Sequence, residues 1–394
     1  MEKNWMLYRL LAIALLNIPG VVQAGQWYFE PDASVRMGYD DNARFSSTNP
    51  EGSSSLTGTA QSDFGYRGDH SELTGVASWS SRRFDNLPDL DTDDQSLSLD
   101  LKTESELSQF GLQVMFDRDS TLTSELESTG LVQVSSRRER SHMKPYWQHD
   151  INERTQLNFA YDHTDVSYDD ATATGLVDYI HSTGNLGLTY QLLENTQLSF
   201  SVFGGNFEAD AVNTEVDTLA FHAGAIHRFS ETFTANLRVG VAANEASFKD
   251  SLDQMASNSN TATLLDAVLT KEWEASRFEL SASITETPSG HGRLLRRKAL
   301  GMTLQTDYSE RLSIALNAKI FRNESGGGMN VAASDRNYFS VTPRFAYELS
   351  EWTSLTGEYR YRSQESTSNN NSSAESNAFF VSLRYRWPMS VSGW

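Results

Sequence analysis

Along most of the chain, apolar and polar side chains alternate with a period of two. This is the pattern of strands that keep one face dry and the other wet. Leu198, Phe200 and Val202 alternate with Ser199 and Ser201. Phe233, Ala235, Leu237, Val239 and Val241 alternate with Thr234, Asn236, Arg238 and Gly240. Leu312, Ile314, Leu316, Ala318 and Ile320 alternate with Ser313, Asn317 and Lys319. Between such runs a short polar turn containing glutamate recurs, as in Asn152-Glu153-Arg154, Ser230-Glu231-Thr232 and Ser350-Glu351-Trp352. Glu72, Glu106, Glu153, Glu194, Glu231, Glu274, Glu310 and Glu351 follow one another at intervals of 34 to 47 residues. The repeating unit is therefore a pair of strands joined by a tight turn.

The connections at the other end of each pair read as longer and looser. Ser46–Ser55, Asp119–Gly130, Asp169–Asp178, Lys249–Asn260, Ser325–Asp335 and Ser363–Asn377 are rich in Ser, Asn, Asp, Gly and Thr, residues that favour turns over packing. Eight short turns predict sixteen strands, and the runs Trp27–Phe45 and Asn377–Trp387 add one at each end. The expectation is an all-β, single transmembrane antiparallel up-and-down barrel of about 18 strands, with 16 as the alternative. Short periplasmic turns and long extracellular loops are the asymmetry of outer-membrane barrels.

Aromatics sharpen this reading. Tyr190, Phe229, Trp273, Tyr308 and Tyr347 stand just before short turns, and Trp387 matches them in the last strand. Rings with a wet edge suit the headgroup zone as an aromatic girdle. A soluble β-sandwich or propeller would also alternate, but it supplies no reason for this placement. In the last strand Phe379, Val381, Leu383, Tyr385 and Trp387 share one face, and Ser382, Arg384 and Arg386 share the other. That row resembles the C-terminal signal read by the barrel assembly machinery, followed here by a short tail, Pro388–Trp394.

The first 24 residues read as a signal peptide. Lys3 and Arg9 precede the apolar run Leu10–Leu16, and Val22-Gln23-Ala24 offers a cleavage site. An uncleaved anchor is the alternative, but the run is short and interrupted by Asn17, Pro19 and Gly20. The barrel domain is then 25–394, exported to the outer membrane of a Gram-negative cell.

Composition excludes several classes. Mean hydropathy is -0.48, too polar for a helical membrane bundle, though not for a barrel whose strands show lipid at every second residue. A formal charge of -20 argues against nucleic acid as a partner. The absence of cysteine removes disulfides, thiolate metal sites and a lipoprotein anchor. No cofactor or metal motif is present, and the acidic groups Asp89, Asp91, Asp93, Asp94 and Asp165, Asp169, Asp170 match no calcium-loop spacing. They read as a solvated rim, with divalent-cation bridging to lipopolysaccharide as the alternative.

The sharpest chemistry lies where the first and last strands must meet. If Val35, Met37 and Tyr39 face lipid, Arg36 faces in. By the same alternation Arg344, Glu358, Arg360, Arg362, Arg384 and Arg386 face in. Closure would gather six arginines on one patch of wall as pore-lining candidates. Two roles fit. One is a guide for anionic polysaccharide, because guanidinium forks match carboxylates. The other is a wall-stiffening ion-pair lattice with Glu30, Asp32, Asp40, Glu348 and Glu358. An enzyme is disfavoured. Asp162 and His163 are adjacent on a strand and point to opposite faces. No serine sits in a glycine-flanked elbow.

The opening strand carries a family likeness. Phe29-Glu30-Pro31, Val35 and Gly38-Tyr39-Asp40-Asp41-Asn42, followed by Arg44-Phe45-Ser46-Ser47, resemble the first strand and serine-rich loop of β-barrel porins associated with exopolysaccharide and exosortase gene clusters. The match covers about twenty residues. It implies an outer-membrane barrel and, through the genetic company of that family, a part in polymer secretion. Three functions follow: a porin-like channel or exopolysaccharide export barrel; a structural or surface-interaction barrel with an occluded lumen; and, least favoured, a barrel hydrolase. The partners implied are outer-membrane lipid and lipopolysaccharide, the barrel assembly machinery and anionic polysaccharide.

Overall fold

The computed structural model describes residues 25–128, 135–169, 171–249, 255–325, 335–366, 372–388 and 390–393. Residues 1–24, read above as a signal peptide, lie outside them, as does Asp170. In chain order the strands of the first half are β1 (Gln26–Asp40), β2 (Ser53–Arg67), β3 (Ser71–Phe84), β4 (Thr92–Glu104), β5 (Ser108–Ser120), β6 (Arg137–Asn152), β7 (Thr155–Tyr168), β8 (Tyr179–Leu193) and β9 (Thr196–Ala209). The second half runs β10 (Thr214–Ser230), β11 (Phe233–Lys249), β12 (Met255–Trp273), β13 (Ser276–Ser289), β14 (Arg293–Asp307), β15 (Leu312–Ser325), β16 (Arg336–Glu348), β17 (Thr353–Ser366) and β18 (Ser373–Arg386). Each pairs antiparallel with its neighbours in sequence, and β1 pairs with both β2 and β18. The sheet is thus a closed, eighteen-stranded barrel. Closure leaves no edge that hydrocarbon would have to solvate.

The tight turns are at the expected places. All eight glutamate-bearing segments join consecutive strands, from β2–β3 to β16–β17. The opposite end departs from expectation in two ways, and the C-terminal tail in a third. First, strands run further than the polar composition implies: β12 begins at Met255 and β17 ends at Ser366, inside segments read as loops. A ribbon that rises above the bilayer is wet on both faces, so its residues lose the alternation that marks a strand. Conversely, β1 stops at Asp40 and Phe45 lies in the following loop. Second, residues 210–213 and 290–292 make short connections there. Third, the tail after Trp387 is not loose. Residues Ser390–Gly393 form β19, which pairs with Gln26–Phe29 of β1. Asp32 lies opposite Arg386 and Phe29 opposite Ser390, so one extra residue bulges out near Pro388.

Apolar residues of the outer rows are exposed throughout, among them Val35, Met37 and Tyr39 of β1, Leu237, Val239 and Val241 of β11, and Phe379, Val381 and Leu383 of β18. Tyr190, Phe229, Trp273, Tyr308, Tyr347 and Trp387 all present exposed rings at the short-turn end. Among the described residues no helix is long and apolar enough to cross a membrane. Most buried apolar residues lie toward the long-loop mouth, where three connections fold inward.

The connection after β1 drives Phe45 into the lumen, where it is 1% exposed against Phe321, Tyr338 and Ala374. Phe45 holds a left-handed backbone, φ 52. Asn42 secures the bend by accepting from Ser46 N (2.9 Å) and donating to Ser46 O (2.8 Å) and Glu375 O (2.9 Å). The connection after β5 carries helix α1 (Thr121–Ser128), whose buried Glu125 accepts from Tyr168 Oη (2.6 Å) and Arg138 (3.4 Å). The end of the β13–β14 hairpin parts from β12 and turns into the mouth. Its tip reaches the connections after β7 and β9: Val177 N donates to Gly290 O (2.7 Å) and His291 Nδ1 meets Gly175 O (3.1 Å). Leu294 behind the tip packs on a cluster of Val166, Tyr168, Leu176, Val177, Phe207 and Val216.

Candidate functional site

β1, β17 and β18 hold the charged patch because their inward rows are set by one register. Arg36 lies opposite Ser382, Asp40 opposite Ala378, and Glu358 opposite Phe380. Arg36 pairs with Glu358 at 2.5 Å. Asp40 is the hub above it. It takes Arg362 at 3.1 Å and Arg360 at 3.3 Å, and accepts from Ser376 Oγ (2.7 Å) and Asn42 N (3.0 Å). Removing a carboxylate from water is costly unless hydrogen bonds fill its lone pairs, and here four groups do so.

The arginines also lie on aromatic rings. Phe380 points inward, across Gly38 on the facing strand, where a Cβ would stand 2.1 Å from its ring. The Arg36 guanidinium carbon is 3.8 Å from the Phe380 centroid, and that of Arg360 is 5.2 Å away. Arg362 lies 4.9 Å from Phe45, and Arg297 lies 4.0 Å from Phe321. Such contacts fix the plane of the guanidinium while leaving its edge free to bond. Arg82 of β3 completes the group. With Arg36, Asp40, Arg360, Arg362, Phe380 and others it lines a cavity of about 90 Å³.

Of the six seam arginines, the structure gathers Arg36, Arg360 and Arg362 around that cavity. Arg344 lies opposite Glu358. Arg384 is held apart, toward the short turns, by a two-pronged pair with Asp32 (2.6 and 3.0 Å). Arg344 and Arg386 make no ion pair among the described residues, nor do Glu30 and Glu348. Among the described residues the lattice expected from sequence is found for Asp32, Asp40 and Glu358, and at the seam three arginines, Arg36, Arg360 and Arg362, stand against the two carboxylates Asp40 and Glu358.

Sequence reasoning missed Arg82, Arg297 and every inward ring. One signal was present. Phe380, Phe321 and Tyr338 each belong to a doublet of bulky residues, Phe379-Phe380, Ile320-Phe321 and Tyr338-Phe339. Adjacent strand positions cannot both face lipid, so one of each doublet must fill the lumen.

The first acidic group is a set of ion pairs. Asp89 takes both terminal nitrogens of Arg44 (2.5 and 2.7 Å), Asp93 pairs with Arg83 (2.9 Å), and Asp94 pairs with Arg137 (2.9 Å). The Arg44 contacts hold the Asp89 carboxyl below its ordinary range. A depressed carboxyl pKa means the tie is intact above the ordinary range, near pH ~4, and is lost as pH falls through the lower folded value. Both partners are exposed, so the effect is small. The loop after β1 is expected to become more protease-sensitive below about pH 4, and Arg44→Ala to give the same sensitivity at pH 7.

Asp162 finds its histidine across the sheet. His142 Nε2 stands 2.8 Å from Asp162 Oδ2, while His163 faces outward and meets Ser182 Oγ at 2.9 Å. Ser108 Oγ meets His149 Nδ1 at 2.8 Å elsewhere. None of these contacts joins serine, histidine and aspartate in one relay.

Closed strands, a lipid-compatible outer belt and a charged, partly filled lumen define an outer-membrane-type transmembrane β-barrel. No family model and no curated protein matches the sequence. Solved structures that resemble it are the OpdL protein of Pseudomonas aeruginosa (12% identity, TM-score 0.44, covering 92% of this chain and 99% of that one) and the outer membrane protein opdK of the same organism (11%, 0.46, 91% and 99%). The ferric citrate transporter FecA in its unliganded form resembles it too (10%, 0.47, 87% and 60%). At these scores the likeness is one of broad architecture.

Proposed function

We propose that this chain is a porin-like channel of the outer membrane that passes anionic, carboxylate-bearing solutes, with sugar acids and their polymers as the substrate class. The observation that carries this reading is the seam, where Arg36, Arg360 and Arg362 line one cavity and outnumber their carboxylate partners Asp40 and Glu358. Guanidinium edges presented from aromatic faces suit planar carboxylates. The cavity, about 90 Å³, exceeds the roughly 10–15 Å³ that a single water needs, and the connection after β1 borders it through Ala43. Exopolysaccharide export is the further step of this reading. Lipid and lipopolysaccharide surround the belt, and the Phe379–Trp387 row serves the barrel assembly machinery.

The test is reconstitution in planar bilayers. Anion-preferring steps are expected, reduced from the open level by polygalacturonate added on the loop side and unaffected by neutral dextran. Electrically silent barrels would sink the channel reading. That outcome would favour an occluded, structural barrel, which the three inward connections also support.

A further inference from the structure

The wall has one place where its ladder stops early. β12 pairs with β11 along its whole length, to Lys249 opposite Met255. β13 pairs with β14 to Ser289 opposite Arg293. Between β12 and β13, however, the last pair is Leu265 with Ile284. Above it, residues 255–264 and 285–289 separate as the hairpin turns into the mouth. Backbone groups on facing edges are left without strand partners. One carbonyl, Thr261 O, is met by Arg296 at 3.4 Å.

A cavity of about 230 Å³ occupies this gap. Its lining mixes the two faces of the sheet. Leu265 lies opposite Val239 and belongs to the outer row, as does Ile284 beside it. Phe203, His222, Arg238 and Leu264 belong to the inner row and line the same cavity. The cavity thus sits at the fork where β13 parts from β12, with residues of both rows around it. Its chemistry is graded between the two rows. Leu265 and Ile284 flank the outer half, with Leu264 one position further in. On the lumen side Arg238 faces Asp266 at 3.6 Å, His222 meets the edge of Phe203 (centroids 6.5 Å), and Glu286 accepts from Asn244 at 2.8 Å.

We infer that the β12–β13 gap is a lateral portal that takes a single-chain amphiphile with a sugar head, head in the lumen and chain toward the bilayer. Arg238 and His222 offer donors, Asp266 and Glu286 offer acceptors, and hydroxyl groups satisfy both kinds at once. Phe203 supplies an apolar face for a sugar ring. The chain leaves just above the last pair, Leu265 with Ile284, where hydrocarbon replaces water beside groups that bind none. This inference is independent of whether the central passage conducts.

The test uses an alkyl glucoside bearing a diazirine in its chain, photolysed with the full-length barrel in phospholipid vesicles. Adducts are expected on Leu264, Leu265 and Ile284, competed by unlabelled alkyl glucoside but not by glucose. Leu264→Trp and Ile284→Trp, each filling the gap, are expected to lower labelling there about tenfold while the barrel keeps its heat-modifiable migration on gels. Arg238→Ala is expected to weaken competition about fivefold without moving the adducts. Labelling spread evenly round the belt, reaching Val35 and Phe379 equally, overturns the inference. So does undiminished labelling at the gap in both tryptophan variants.

Discussion

Replacing Arg36, Arg360 and Arg362 by glutamine, together with Asp40→Asn, is expected to abolish the anion preference of the conductance. The design follows from burial. Arg362 is 5% exposed and Asp40 is 7% exposed. Taking away arginines alone would leave a buried carboxylate without its counter-charge, a loss of about 3–5 kcal/mol. Removing Asp40 with them keeps the hub neutral, and glutamine keeps part of the stem packing over Phe45 and Phe380. Three positive charges and one negative leave the wall, a net change of two. At an effective dielectric near ~20, a unit charge 4 Å from a passing ion is worth about 4 kcal/mol, and near 1 kcal/mol in bulk water. Even the lower bound across two charges exceeds the 1.4 kcal/mol that corresponds to tenfold. The anion-to-cation permeability ratio, read from the reversal potential across a salt gradient, should therefore fall about tenfold. An unchanged ratio in a folded barrel would mean that ions do not pass the seam.

The barrel itself was legible because its determinants are local. A period of two, a tight polar turn with Glu153 or Glu231, and a ring such as Trp273 beside the turn are all written within a few residues. Strand count and register of facing followed from these alone. Arg36, Arg360 and Arg362 could be placed on one wall before any contact was known, because closure joins the two ends of the chain.

The contents of the lumen were legible only in part. Which carboxylate meets which arginine depends on cross-strand register. Asp40 collects Arg360 and Arg362, whereas Glu30, ten residues below Asp40 on β1, and Glu348, opposite Ser354, lie near the short turns, too low to share them. The pairing of His142 with Asp162 likewise requires knowing that β6 and β7 oppose Met143 and His163. The inward hairpin is harder still. Leu294, Leu295 and Pro288 read as ordinary strand residues, and nothing local distinguishes a strand that stays in the wall from one that leaves it. The distinguishing groups are on connections three to six strands away round the barrel. Val177 donates to Gly290 O, and Gly292, at φ 70, sits where a Cβ would be 2.6 Å from Val212. These two glycines let the tip approach backbone that is remote in sequence.

That docking makes the hairpin the strongest single obstacle in the mouth, and its removal the largest change in conductance. Shortening β13–β14 so that Glu286 is joined to Arg296 through a two-residue Asn-Gly turn deletes the tip that spans the mouth. The type of turn matches the twist of an antiparallel pair. The wall below keeps its ladder, since Ile284 pairs with Lys298 and Ala282 with Leu300. The cost falls on the cluster at the top of β7–β10, where Leu294 and the tip cover Tyr168, Leu176 and Val177. Those residues become wet, but they line an aqueous mouth, not the lipid belt. Stability is expected to drop modestly while single-channel conductance rises several-fold. Should conductance stay at the level of the intact barrel, the permeation path must run wholly along the arginine side, between Phe45 and α1. Phe45→Ala, which unpins the loop after β1 from Phe321 and Tyr338, should then give the larger opening. The two variants thus locate the narrowest point of the passage by which of them widens it.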